Sequence, residues 1–249
     1  MMSTITKWMD KALYPNHKDH WDNALFRDYL LDKMWPSHVV LDYGAGRGVL
    51  QEMHFKGLVK RVAGVDIDET VLGNPFLDEA KVLPYPSNRI PYDENSFDLV
   101  FSANVMEHVQ KPDICFKKIY RVLKPGGLFI SKTPNKWHYV PAIARATPHS
   151  LHILYNKLRG REERDTFPTV YKCNTPKAFM CYAQGAGFSV VEIRMWEGRP
   201  EYLRTAPPLY LAGFLYERLV NGIPSLSKFR VVMVFALMKP QAESANPHC

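Results

Sequence analysis

Val39-Val40-Leu41-Asp42-Tyr43-Gly44-Ala45-Gly46-Arg47-Gly48 is the stretch on which the reading of this chain turns. The run from His38 to Asp42 reads as a buried strand and leads straight into three glycines. Glycine accepts positive φ and carries no Cβ, so a tight turn forms there and backbone amides can approach a ligand closely. About 20 residues on, Val65-Asp66-Ile67-Asp68 ends a second strand, Arg61 to Asp66, on a carboxylate, where an acid can accept both hydroxyls of a ribose. Strand, glycine turn, strand and acid together predict a nucleoside-type site. The spacing places Val49 where a third glycine of a pyrophosphate-binding turn would stand. Asp42, two residues ahead of the first glycine, suits a ligand carrying an amino group better than one carrying a pyrophosphate.

Outward from this turn, strand-like and helix-like segments alternate from about residue 36 to 133. Phe97 to Ser102 reads as a strand. Asp113 to Lys124 reads as an amphipathic helix, with Phe116, Ile119, Tyr120 and Leu123 on one face. Pro125-Gly126-Gly127 stops it, and Leu128 to Lys132 starts another strand. Such alternation predicts a mostly parallel sheet with helices on both faces. The pattern changes after Asn135, with prolines at 141, 148, 168 and 176 and no strand alternation. Phe188 to Met195 and Phe229 to Met238 supply two further strands. The expected organisation is one domain: a helical cover over 1–35, a ligand-binding half over 36–135, a substrate-side insertion over 136–187, and C-terminal strands with a helix over 188–240.

LDYGAGRG, GVDID, IPYDENSFDLVFSANVMEHV and IYRVLKPGGLFISKTPN, in that order across residues 39 to 135, resemble the motif series of the class I S-adenosylmethionine-dependent methyltransferases. The nearest branch is the methyltransferase type 11 group, which includes quinone-ring methyltransferases. The resemblance implies a Rossmann-like α/β fold with a seven-stranded methyltransferase sheet, helices on both faces and the last strand antiparallel. It implies S-adenosyl-L-methionine as cofactor, with Gly44, Ala45 and Gly46 beneath its methionyl part and Asp42 near its amino group. Asp66 would hold the ribose hydroxyls, Ile67 would lie against the adenine, and Ser102 and Ala103 would line the sulfonium. The chain departs from the family before Ile90-Pro91-Tyr92, offering Ser87 and Asn88 where many relatives have an adenine-contacting Asp.

Methyl transfer is an in-line displacement in which the protein aligns the nucleophile and excludes water. A hydroxyl acceptor also needs its proton removed, and a neutral histidine is the usual base near pH 7. The candidates are His108, next to Glu107 after the fourth strand, then His138 and Tyr139 after the fifth, and His149. No metal site is expected: Ser102-Ala103-Asn104 stands where catechol-type enzymes carry carboxylates, and neither His17-x-x-His20 nor His149-x-x-His152 has a third ligand placed to complete it. The motif of base-amino methylation is absent after the fourth strand, so no nucleic acid partner is expected.

The 249 residues are 46% hydrophobic and 23% charged, which excludes a disordered or fibrous chain. A net charge of +7 favours anionic partners without naming one. The 4 cysteines lack metal-knuckle spacing, no apolar run is long enough to cross a bilayer, and MMSTITKWMDK lacks the apolar core of a signal peptide, so a cytoplasmic protein is expected. Tyr210 to Val220 reads as a helix apolar nearly all round, which is expected as core or dimer contact, with a lipid-linked acceptor or the membrane interface as the other reading. Sequence leaves open whether the chain is a monomer or a homodimer. Its expected activity is methylation of a small-molecule acceptor at a hydroxyl oxygen; methylation of an amine, or cofactor binding without turnover, are the alternatives.

Overall fold

A computed structural model of the chain describes residues 4–17, 19–84, 89–141 and 168–241. Its centre is a seven-stranded sheet. The strands are β1 (Val39–Tyr43), β2 (Arg61–Asp66), β3 (Glu79–Val82), β4 (Phe97–Ala103), β5 (Leu123–Pro134), β6 (Ser189–Trp196) and β7 (Val232–Met238). Their spatial order is β3-β2-β1-β4-β5-β7-β6. β1 pairs in parallel with β2 on one side and β4 on the other, and β2–β3 and β4–β5 are parallel too. β7 runs antiparallel to β5: Gly126 N–H donates to Lys239 O, Lys239 N–H donates to Gly127 O, and at the far end Asn135 N–H donates to Val231 O. The strand order reverses between β1 and β4, and ligands of open α/β sheets bind at the carboxyl ends of the strands flanking such a reversal.

Two compact units divide the chain: one comprises Met1–Asp22, Pro134–Thr169 and Met195–Met233, the other Asn23–Thr133, Val170–Arg194 and Val234–Cys249. The second unit holds most of the sheet, with α2 (Trp21–Leu31), α3 (Pro112–Val122) and α4 (Pro176–Gly185). Proline opens α3 and α4 because the first helical turn needs no N–H there, and the Thr175 hydroxyl caps α4 by accepting from Ala178 N–H. Apolar residues spaced for one helix face bury Phe116 and Ile119 of α3 against the sheet, beside Phe179 of α4. Phe116 meets Phe129, Phe179 and Phe188 edge-on, and Phe179 lies flat on Phe235 with ring centroids 3.8 Å apart. This aromatic cluster is the core under one sheet face.

The first unit contains α1 (Thr4–Leu13) and α5 (Pro207–Gly222). Asp10 of α1 accepts from Arg204 and from Tyr210 Oη at 2.7 Å, and Tyr14 Oη donates to Glu217 Oε2 at 3.0 Å. Asn135 donates to the carbonyls of Lys228 and Arg230, each at 2.7 Å, and so holds the turn before β7.

One expectation shifts, and two features are new. The α3 helix ends at Val122 and Leu123 enters β5, because the residue before Pro125 is pushed out of the helical region. Only a single 3₁₀ turn, Gln51–Met53, forms within Val49 to Phe55. β3 was not foreseen: its four residues, two of them charged, carry no alternation.

Candidate functional site

The carboxyl ends of β1, β2 and β4 converge in the second unit. Gly44 leaves β1 at φ +85°, and a Cβ there would stand 2.4 Å from Val105 Cγ2. Gly44 and Ala45 both donate their N–H to Val65 O, at 2.8 and 3.2 Å. Gly46, at φ +51°, donates its N–H to Asp66 Oδ2 at 2.9 Å, and nothing lies within 4 Å of the place its Cβ would occupy. The other oxygen of Asp66 accepts from Asp68 N–H at 3.0 Å. Asn74 closes the turn from behind: its Nδ2 donates to Ala45 O at 3.0 Å and Gly46 O at 3.1 Å, while its Oδ1 accepts from Phe76 N–H at 2.9 Å.

The amides of Gly44, Ala45 and Gly46 are therefore all engaged within the protein, rather than fanned outward as an anion cradle. The charge around the turn is negative. Asp42 is buried at the end of β1, and burial first, then the neighbouring Asp66 charge, pushes its carboxyl well above the usual carboxylate range. A cationic group relieves that cost by pairing with it, whereas a pyrophosphate would add to it. Asp66 still has lone pairs for ribose hydroxyls, and Ile67, more than half exposed, offers an apolar platform beside it. The donor set fits a nucleoside bearing an amino group.

β4 adds the third wall. Ser102 points into the protein, donating to Ser131 Oγ at 3.0 Å, and Ala103 is half-buried at the strand end. Asn104 follows at φ +58° and donates its N–H to Lys132 O at 2.8 Å. The next turn, Met106–His108, brings in Glu107, which is buried and accepts from Thr133 Oγ1 at 2.9 Å. Thr133 Oγ1 in turn accepts from Asn174 Nδ2 at 2.7 Å, and Glu107 O accepts from the amides of Val170 and Tyr171. Burial pushes the Glu107 carboxyl up, opposed first by His108, whose Nε2 lies 3.9 Å from Glu107 Oε1.

His138 and Tyr139 belong to the first unit. His138 is buried; its Nδ1 accepts from Val140 N–H at 3.3 Å and its Nε2 lies 3.3 Å from Glu197 Oε2. Its ring packs on Tyr139 and meets Tyr216 edge-on. Its Nδ1 is thus hydrogen-bonded, whereas Nε2 is buried within ion-pair distance of Glu197 without making a hydrogen bond. His149, Ser87 and Asn88 lie outside the described residues.

Sequence reasoning passed over Asn74, Lys132 and Asn174. Asn74-Pro75 is a turn signal that could have drawn attention to the first. Nothing local announces that Lys132, fully buried, reaches Asn23 Oδ1, or that Asn174 reaches Thr133.

A Rossmann-like sheet with an acid-lined glycine turn at its switch point defines a nucleoside-binding α/β protein. Residues 41–131 match the methyltransferase domain family, type 11. A probable methyltransferase of Aspergillus luteorubrus, ltbC, is 30% identical over 134 residues, 45% of this chain and 46% of that protein. A sterol 24-C-methyltransferase of Pneumocystis carinii is 29% identical over 114 residues, 46% of this chain and 28% of that protein. The chain thus spans less than half the length of these curated relatives. Among solved structures, an S-adenosylmethionine-dependent methyltransferase of Archaeoglobus fulgidus superposes with a TM-score of 0.58 over 94% of this chain and 99% of its own, at 15% identity, which establishes the shared fold. Residues 41–131, rather more than a third of the chain, thus match a methyltransferase domain of the S-adenosylmethionine-dependent kind.

Proposed function

We propose that the chain transfers a methyl group from S-adenosylmethionine to a hydroxyl oxygen of a small, apolar acceptor. The observation that carries the reading is the glycine turn, its three amides engaged within the protein and two carboxylates, buried Asp42 and Asp66, at the carboxyl ends of β1 and β2. S-adenosylmethionine supplies the activated methyl. Asp42 would bind its ammonium, Asp66 its ribose hydroxyls, and the backbone at Ala103 would border its sulfonium. The apolar character of the acceptor is supported by the sterol methyltransferase among the relatives, and the carbon acceptor named there makes a carbon nucleophile the second reading.

A hydroxyl nucleophile needs a base, and His108 fits that role better than His138. His138 is buried with its Nδ1 occupied by Val140 N–H, whereas His108 is partly exposed next to a carboxylate that can steady an imidazolium. Glu107 would orient it, itself held by Thr133 and Asn174.

Two measurements test the proposal. Calorimetric titration should give micromolar binding of S-adenosylmethionine and S-adenosylhomocysteine, lost in Asp66→Ala; binding of NAD alone would refute the cofactor. With an acceptor in hand, His108→Gln should lower kcat by about 100-fold or more and abolish the acidic limb of the pH profile, with cofactor affinity unchanged. An unaltered profile would remove His108 as base and favour an amine or carbon acceptor.

A further inference from the structure

α5 buries a glutamate and exposes a row of leucines. The side turned into the first unit carries Tyr210, Gly213, Glu217 and Val220, while Leu211, Leu215 and Leu219 follow one another at helical spacing on the outward side, each about half exposed, with Ile223 continuing the line just beyond the helix. Core packing, the expectation for this helix, is therefore not what its leucines do; burial was given instead to the opposite side, where Glu217 accepts from Tyr14 Oη and Asn221 Nδ2. α1 repeats the arrangement. Thr6 and Met9 are buried, and Trp8 stands 67% exposed beside Ile5, with Lys7 and Lys11 on the same outward side. Tyr14, at the end of α1, stacks on Tyr210 of α5, and Arg218 lies over both Tyr14 and Phe214, so the two helices adjoin within this unit.

The charges sort with direction. Asp10 of α1 and Glu217 of α5 both turn inward to partners, Asp10 to Arg199, Arg204 and Tyr210. The outward residues of the two helices include Lys7, Lys11 and Arg218, and no acid. Arg218 also reaches back to Glu217 Oε2 at 3.3 Å. An apolar stripe whose charged companions on the same two helices are cations, with an exposed tryptophan, has the composition of a surface that rests in the headgroup region of a bilayer. It is poorly made for a second copy of the chain, because a two-fold contact would bring the same cations face to face.

We propose that α1 and the outward face of α5 form a docking surface for an anionic phospholipid bilayer, the leucines and Trp8 entering the interface and the lysines pairing with lipid phosphates. The surface does not depend on the methyl-transfer reading, since it requires neither cofactor nor acceptor.

Flotation of the full chain with vesicles of phosphatidylcholine containing about 30% phosphatidylglycerol, against phosphatidylcholine alone, tests it. The anionic vesicles should capture the protein and added salt should release it. Lys7→Gln with Lys11→Gln should weaken capture about twenty-five-fold, at a factor of about five per lysine. Leu211→Gln, Leu215→Gln and Leu219→Gln together should abolish it while lowering the melting temperature only slightly, because these side chains are already about half in water. Trp8 gives an independent readout: the blue shift of emission on vesicle addition should disappear in Trp8→Phe, even if the leucine variant misfolds. Equal recovery with both vesicle types, or none with either, overturns the proposal. So does a dimer in light scattering that the leucine variant dissociates while vesicle binding is absent, which would assign the face to a second copy.

Discussion

At Asp42 and the two glycines that follow it, stability and the proposed cofactor binding pull in opposite directions. The folded protein raises the Asp42 carboxyl above its ordinary 3.8, chiefly through burial and then through Asp66. The folded state therefore holds that proton more tightly than the unfolded chain, and stability falls as pH rises through the raised value. Asp42→Asn should remove this loss. Its melting temperature should exceed the parent's at pH 8 by a few degrees, at about 2–4 °C per kcal/mol, and the gain should shrink toward pH 4. The same variant should bind S-adenosylhomocysteine at least about tenfold more weakly, by loss of a charge-assisted hydrogen bond. Gly44 and Gly46 can be separated in the same way. Gly44→Ala, strained at positive φ and driven into Val105, should cost about 2–4 kcal/mol by denaturant titration. Gly46→Ala faces open space and should cost only about 1 kcal/mol, yet its methyl occupies the ligand side and should block cofactor binding in calorimetry.

Among the elements, β1 and β4 depend on one carboxylate at the end away from the glycine turn. Asp98 accepts from Val39 N–H at 2.8 Å and from Lys124 Nζ at 2.7 Å. Burial alone would raise its carboxyl, but these bonds hold it below the ordinary 3.8. Its contribution is thus present at neutral pH and is lost as pH falls through the folded value. Asp98→Ala should cost about 1–2 kcal/mol near pH 7, most of it from the orphaned amide since the ion pair is half in water, and the deficit should narrow without vanishing at a pH below the folded value. Guanidinium titrations at both pH values check this. Much of the element layout was legible: buried strands announce themselves by β-branched runs, and α3 by its 3.6-residue period and its opening proline. β3 was not, since an edge strand of Glu79–Val82 is specified by the neighbour it pairs with, β2, more than by its own residues.

For the whole molecule, cofactor binding should act as a stability term. At a free concentration about 100 times its dissociation constant, S-adenosylhomocysteine should add about 2.7 kcal/mol, raising the melting temperature by about 5–10 °C for a chain of this size. NAD at the same concentration should leave it unchanged; a shift with NAD and none with S-adenosylhomocysteine would contradict the assignment. The net charge of +7 acts at this scale too, and its lysines on α1 stand beside exposed apolar residues instead of being spread evenly.

What the sequence determined by itself was the sheet around the glycine turn: that turn, an acid at fixed distance and the strands beside them are local, and local patterns survive in one dimension. The acceptor side was less legible. His138 reads in sequence as an available base, yet folding places Glu197, distant in the chain, against one nitrogen and the Val140 amide against the other. Likewise α5 reads as a helix for the core, and only tertiary structure turns its glutamate inward and its leucines out. Periodicity fixes which residues share a face, but what that face meets depends on segments remote in sequence, such as Tyr14 and Asp10, which are the inward partners of Glu217 and Tyr210.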